Sequence, residues 1–199
     1  PVSLGKSLPF RMSVQWVNRP DSTFRGVSGT VAAGRIHKGD LIRVMETGVY
    51  SRIDRILDAD GEVEKAESGT PVTLTFEDDI DVGRGSVLAA EEEPKPLQSD
   101  RVEADLVWLA REPLQVGRNY LFKRGPVERQ ASVSSICGRL NLYSFQEEEA
   151  ATIGFNEQGR VVLELIPSLS FESYDSSRTM GHGILVDRVS GETVGALLM

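Results

Sequence analysis

Apolar and polar residues alternate along most of this chain in short runs, and glycines return between the runs, so little of it can present a helix face. Arg11-Met12-Ser13-Val14-Gln15-Trp16-Val17 alternates as a half-buried strand does, and Val72-Thr73-Leu74-Thr75-Phe76 repeats the pattern with β-branched and aromatic residues. Gly26, Gly29, Gly34, Gly39, Gly48, Gly61, Gly69, Gly83 and Gly85 are expected to mark turns between short strands. Further on, Val102 to Leu109, Arg129 to Ile136, Arg160 to Ile166 and Ile184 to Val189 alternate in the same way. The one helical candidate is Phe145 to Thr152, which carries Glu147-Glu148-Glu149 and reads equally well as a solvated turn. Many short strands with frequent glycines predict an all-β chain folded as two small barrels.

The run Glu91-Glu92-Glu93-Pro94-Lys95-Pro96-Leu97-Gln98-Ser99-Asp100 interrupts this pattern. Prolines lack a donor and like charges repel, which predicts an extended linker. The expected division is a barrel over 1–92, a linker over 93–100 and a second barrel over 101–199. A length of 199 residues suits one to two domains at roughly 150 residues each. The chain opens on Pro1 rather than methionine, as a piece cut from a longer protein would.

Charge and composition narrow the function. A net charge of −8 and no basic stripe argue against a general nucleic-acid binder, which needs cations to displace counterions. No apolar run approaches the ~18 residues of a membrane span, and no basic-then-apolar start marks a signal peptide. One cysteine, Cys137, excludes an internal disulfide framework and suits a reducing compartment. It ends an alternating run and is expected in the core. His37 and His182 lie far apart, so no histidine metal centre is expected. His182 sits between Gly181 and Gly183, where a turn histidine or a contact to a phosphate or carboxylate are both readings.

Several fragments imitate catalytic motifs. Gly5-Lys6-Ser7 matches the end of a phosphate-binding loop, but the glycine that should begin the loop and the preceding strand are not in this sequence. Asn18-Arg19-Pro20-Asp21 and Asp58-Ala59-Asp60-Gly61 imitate the guanine-reading and switch motifs of a GTPase in the wrong order. Ser3-Leu4-Gly5-Lys6 matches a Ser-x-x-Lys nucleophile with none of its partner motifs. Asp78, Asp79 and Asp81 cluster as a cation loop does, yet too few oxygen ligands surround them, and a solvated hairpin end is expected. No catalytic residue, cofactor site or metal site is therefore assigned within this chain.

Longer strings carry a resemblance. Phe24-Arg25-Gly26, Ser28-Gly29-Thr30-Val31, Gly34, Lys38-Gly39-Asp40, Ala66, Gly69, Val72 and Asp81-Val82-Gly83-Arg84-Gly85-Ser86-Val87-Leu88 resemble domain 2 of translational GTPases. Phe10 through Pro20 with Phe24-Arg25-Gly26 resembles the opening of that domain in the large, GTP-binding subunit of bacterial sulfate adenylyltransferase, the CysN/NodQ type. The second half adds Ala104-Asp105-Leu106-Val107-Trp108, Glu112-Pro113-Leu114, Gly117-Arg118-Asn119-Tyr120-Leu121 and Asn156-Glu157 with Gly159. Tyr174-Asp175, Arg178, Gly181, Ile184-Leu185-Val186-Asp187-Arg188 and Thr193-Val194-Gly195-Ala196 extend it nearly to the end. Gly183 stands where the pattern usually has an aromatic, Leu197 stands where it usually has glycine, and Asn141 to Ala150 matches loosely.

The resemblance implies two consecutive small antiparallel β-barrels like domains 2 and 3 of elongation factor Tu, from a cytoplasmic protein of sulfate assimilation. It implies GTP and Mg2+ for the parent protein, bound in an N-terminal GTPase domain. It also implies a small adenylyltransferase subunit as partner, and a kinase domain or subunit as a further one. The barrels would be non-catalytic and would position the GTPase domain and the partner. Arg25, Arg178 and Arg188, charged residues beside turn glycines, are the candidate domain or subunit contacts, against the alternative of surface ion pairs worth under ~1 kcal/mol. A second reading, the RNA- or tRNA-binding barrels of an elongation-factor-like GTPase, has the net charge of −8 against it.

Overall fold

The computed structural model describes residues 8–20, 24–141, 143–144 and 146–199. Gly5-Lys6-Ser7, Ser3-Leu4-Gly5-Lys6, Asp21 and Phe145 lie outside the described residues. The chain divides into two compact units, the first running to Pro96 and taking in Gly125–Val127, the second made of Leu97–Arg124 and Glu128–Met199. Among the described residues every regular element is a strand.

In the first unit the strands are β1 (Arg11–Ser13), β2 (Trp16–Asn18), β3 (Gly26–Ala33), β4 (Arg35–His37), β5 (Leu41–Val44), β6 (Tyr50–Leu57), β7 (Glu62–Val63), β8 (Lys65–Glu67), β9 (Pro71–Phe76) and β10 (Val87–Ala90). The pairings run β1–β10–β5–β6–β9–β3 and return from β3 to β1, every one antiparallel. Six strands thereby close a barrel. β2 extends one end of β3, β7 pairs with β6, and β4 and β8 form a separate ribbon.

The second unit holds β11 (Leu97–Trp108), β12 (Asn119–Arg124), β13 (Val127–Leu140), β14 (Glu147–Glu148), β15 (Gln158–Phe171), β16 (His182–Asp187) and β17 (Thr193–Leu198). Its ring is β12–β16–β17–β11–β15–β13, closed by β13 against β12, with β14 laid on β13. The alternating residues supply both interiors. Met12, Val31, Ile42, Ile56, Leu74 and Leu88 fill the first barrel at no more than 1% exposure. Leu106, Phe122, Val133, Val161, Leu163 and Leu185 are fully buried in the second. Each such side chain contributes roughly 1.5–3 kcal/mol of burial.

Several expectations are corrected. Arg11 to Val17 is two strands, because the chain changes partner at Val14 and Gln15. Val14 N–H donates to the Ser86 carbonyl and Gln15 N–H to the Ser28 carbonyl, both at 2.8 Å. Gly26 and Gly29 lie inside β3 rather than in turns. At Gly29 a Cβ would stand 2.5 Å from the Ser13 carbonyl oxygen, so glycine there permits a close crossing of backbones. Gly34 does turn the chain, at φ 68°. The helical candidate Phe145 to Thr152 contains the short strand β14.

The segment read as an extended linker is held at both ends. Lys95 Nζ donates to the carbonyls of Ala90 (3.0 Å), Glu91 and Glu93 (3.1 Å), which closes a turn over the glutamates. Arg11, only 2% exposed, reaches the Pro94 carbonyl, and Phe10 N–H donates to Glu93. Leu97, Gln98 and Ser99 already pair with Phe171, Ser170 and Leu169 as the start of β11. Cys137 is exposed rather than in the core. A register shift between Val133 and Ser135 carries the alternation of β13 off its inward face before Cys137, and a second shift, between Ile136 and Gly138, spans it.

Gly29→Ala should cost about 1–3 kcal/mol, because the added methyl must push apart two backbones rather than a flexible side chain. Urea unfolding checks this, and an unchanged midpoint would contradict the crossing.

Candidate functional site

A cleft of about 500 Å3 in the first unit lies where β6, β9 and the residues leading into β3 meet, lined among others by Arg19, Phe24, Arg25, Asp54, Arg55, Thr75, Asp78 and Asp79. Several of its charged groups are engaged by the fold. Arg25 forms an ion pair with Asp79. Ser51 Oγ donates to Asp78 at 2.8 Å, and Thr75 Oγ1 donates to Asp54 at 3.2 Å. Asp78 and Asp79 of the expected hairpin end are thus engaged with protein partners, and no group of three or more metal-type side chains occurs among the described residues.

A larger cleft, about 750 Å3, lies at one end of the second barrel, lined by the end of β11, the start of β12 and the β16–β17 turn. Alternation in β16 points Asp187 inward with Leu185, which leaves it 6% exposed. It accepts hydrogen bonds from Val189 N–H (2.9 Å) and Ser190 N–H (3.0 Å), and Arg118 pairs with it at 2.5 Å. Arg118 also lies 5.9 Å from the centroid of the Tyr120 ring. Tyr120 meets Trp108 edge to face at 5.8 Å, and Trp108 Nε1–H donates to the Glu112 carbonyl at 2.7 Å. The backbone N–H groups of Ser190 and Val189, then the Arg118 charge, hold the Asp187 carboxyl below the usual carboxylate range. Burial raises the Tyr120 hydroxyl above its usual value.

Neither lining includes a histidine, cysteine or lysine. Sequence reading missed the Asp187–Arg118 lock, although an aspartate on the inward phase of β16 is the signal that would have found it: a buried carboxylate requires a partner.

Of the three candidate contact arginines, the two in the second unit, Arg178 and Arg188, are not brought to one place. Arg25 belongs to the first unit. Arg178 lies in the loop before β16, its guanidinium carbon 6.0 Å from the centroid of the Tyr174 ring. Arg188 is exposed in the turn after β16. The six residues of β16 separate Arg178 from Arg188, about 20 Å of strand. His182 opens β16 rather than sitting in a turn, with Nδ1 2.6 Å from the Arg178 carbonyl oxygen. At Gly183, where the resemblance has an aromatic, a Cβ would overlap the Phe122 ring, which takes the inner space instead.

Because the folded-state pKa of Asp187 is depressed, its carboxylate stabilises the fold above the unfolded-state pKa near 4 and ceases to do so as pH falls through the lower folded value. Asp187→Asn should lower the urea midpoint at pH 7 and flatten its decline below about pH 4. Parallel acid limbs in the two proteins would contradict this.

Comparison with known proteins places this geometry. Residues 101–197 match the family model described as GTP-eEF1A C-terminal domain-like. "Sulfate adenylyltransferase subunit 1" of Laribacter hongkongensis is 41% identical over 94% of this chain, which spans 39% of that protein. The "Bifunctional enzyme CysN/CysC" of Xylella fastidiosa is 43% identical over 93% of the chain, and "Bifunctional enzyme NodQ" of Azospirillum brasilense 39% identical over 94%. The chain spans 30% of each of these two. Among solved structures, Sup35 complexed with GMPPNP matches 96% of the chain with a TM-score of 0.86 at 20% identity, and the chain spans 47% of it. Sequence and fold together make this chain similar, over nearly all its length, to a part of sulfate adenylyltransferase subunit 1 of the CysN/NodQ type, and give it the barrels of translation-factor-like GTPases.

Proposed function

We propose that this chain is the barrel part of a sulfate adenylyltransferase subunit 1, a cytoplasmic protein that couples GTP hydrolysis to formation of adenosine 5′-phosphosulfate from ATP and sulfate. In this reading a small partner subunit transfers the adenylyl group to sulfate and releases pyrophosphate. A GTPase domain binds GTP and Mg2+. A kinase that takes the product onward is a candidate further partner. The observation that carries the reading is identity near 40% across 94% of the chain to proteins bearing that name.

The described residues do not fit a GTP·Mg2+ site. They include no helix whose N-terminus could receive phosphates, no lysine in either cleft and no group of metal-type side chains. This reading assigns catalysis to the GTPase domain and the small subunit, and the barrels act by making different contacts in different nucleotide states of the GTPase domain. Rigid closed barrels suit that role, since a displacement at one edge is passed on rather than absorbed.

The test is co-elution of this chain with a small adenylyltransferase subunit, with and without a separately supplied GTPase domain. A stable complex is expected in at least the second mixture, and the chain alone should not turn over ATP and sulfate. Absence of a complex in both mixtures would contradict the reading.

A further inference from the structure

Lys95 stands between Pro94 and Pro96, which keep its backbone extended and remove two N–H donors from the segment. Its side chain folds back over the turn that follows β10, where Glu93 N–H approaches the Ala90 carbonyl at 3.4 Å. There Nζ meets the carbonyls of Ala90, Glu91 and Glu93 together. An ammonium has three N–H donors, and this turn takes up all of them. Buried Glu91 Oε2 makes no hydrogen bond among the described residues and has the same ammonium charge 3.4 Å away. Lys38, Lys65 and Lys123 by contrast reach surface carboxylates, at 3.0, 3.0 and 2.9 Å. Three carbonyls and a carboxylate oxygen gathered on one turn form a cup for a small cation bearing N–H groups, and Lys95 fills it from within the chain.

The filled cup holds more than its own turn. Glu91 N–H donates to the Leu41 carbonyl at 2.8 Å, Phe10 N–H donates to Glu93 Oε2 at 2.5 Å, and buried Arg11 reaches the Pro94 carbonyl. All these groups belong to the first unit. Three glutamates in succession, Glu91 to Glu93, would repel one another without a cation among them. The strap formed by residues 91–96 leads into β11, so whatever fixes it to the first barrel also fixes where the chain leaves that barrel.

We propose that this turn is an alkylammonium site filled by Lys95, and that Lys95 is thereby a positioning residue for the GTP-dependent coupling assigned above to the barrels. Only the second half of the inference rests on that function. A guanidinium is planar and spreads its five N–H groups outward, so it cannot converge on the three carbonyls, and the site requires lysine rather than positive charge alone.

Amide hydrogen exchange of this chain tests the site. Lys95→Ala should speed exchange at the Phe10 amide, which is bonded to the strap, by about tenfold or more. The Leu163 amide, in the middle of β15, should be unchanged. Propylammonium has the atoms that the substitution removes and should restore the protection. Tetramethylammonium, of equal charge and without N–H donors, should not restore it, and Lys95→Arg should behave as Lys95→Ala does. Unchanged exchange at Phe10, or equal acceleration at both amides, would overturn the site, as would recovery with tetramethylammonium or native protection in Lys95→Arg. The positioning role is tested in a chimera that carries this chain in place of the matching part of the Laribacter hongkongensis subunit 1. There Lys95→Ala should remove most of the GTP stimulation of pyrophosphate release while GTP hydrolysis and small-subunit binding persist, and propylammonium should bring the stimulation back. Unchanged stimulation would overturn the positioning role. An unaltered chimera that does not bind the small subunit would overturn the proposed function instead, and the exchange result at Phe10 would still decide the site.

Discussion

Closure of a six-stranded sheet governs the architecture of each unit. A ring this small admits side chains from its walls and little else, so every second residue of each strand must be apolar and of limited volume. Closure also requires the last pairing to be made: β3 against β1 in the first unit and β13 against β12 in the second. Where strands cross on the way round, the backbones approach too closely for a side chain, and glycine permits it, at Gly29 in the first unit and Gly159 in the second. Charged groups drawn inward by the same alternation must be satisfied locally. Arg124 does this by donating to the carbonyls of Met180 and Ser170 at 2.8 Å each, and Asp187 by capping a turn and pairing with Arg118.

Strand periodicity made most of this legible. The runs 72–76, 102–109, 129–136, 160–166 and 184–189 all fall on strands, apart from their last residues at Leu109, Arg188 and Val189. What escaped has physical causes. A glycine can serve a positive φ or a close approach, and composition cannot say which, so Gly26 and Gly29 read as turns. Shifts in register inside β13 turned Cys137 outward although the residues before it alternate. The acidic run after β10 looked extended because its charges repel, yet one lysine that donates to three carbonyls holds the turn. The contact arginines were chosen by their neighbouring glycines, a local signal that carries no information about distance. Arg178 and Arg188 therefore emerged at opposite ends of one strand.

Each unit presents a cleft lined by charged and aromatic residues. Their charged residues hold turns and strand ends in place, and their aromatic pair, Trp108 and Tyr120, packs edge to face.

The central claim is that these barrels transmit the state of a GTPase domain to an adenylyl-transferring partner. A chimera tests it most directly: this chain replaces the matching part of the Laribacter hongkongensis subunit 1, and pyrophosphate release from ATP and sulfate is followed with the small subunit present. The account predicts that GTP stimulates this release in the chimera. A folded chimera that hydrolyses GTP and binds the small subunit, yet shows no stimulation, would contradict it.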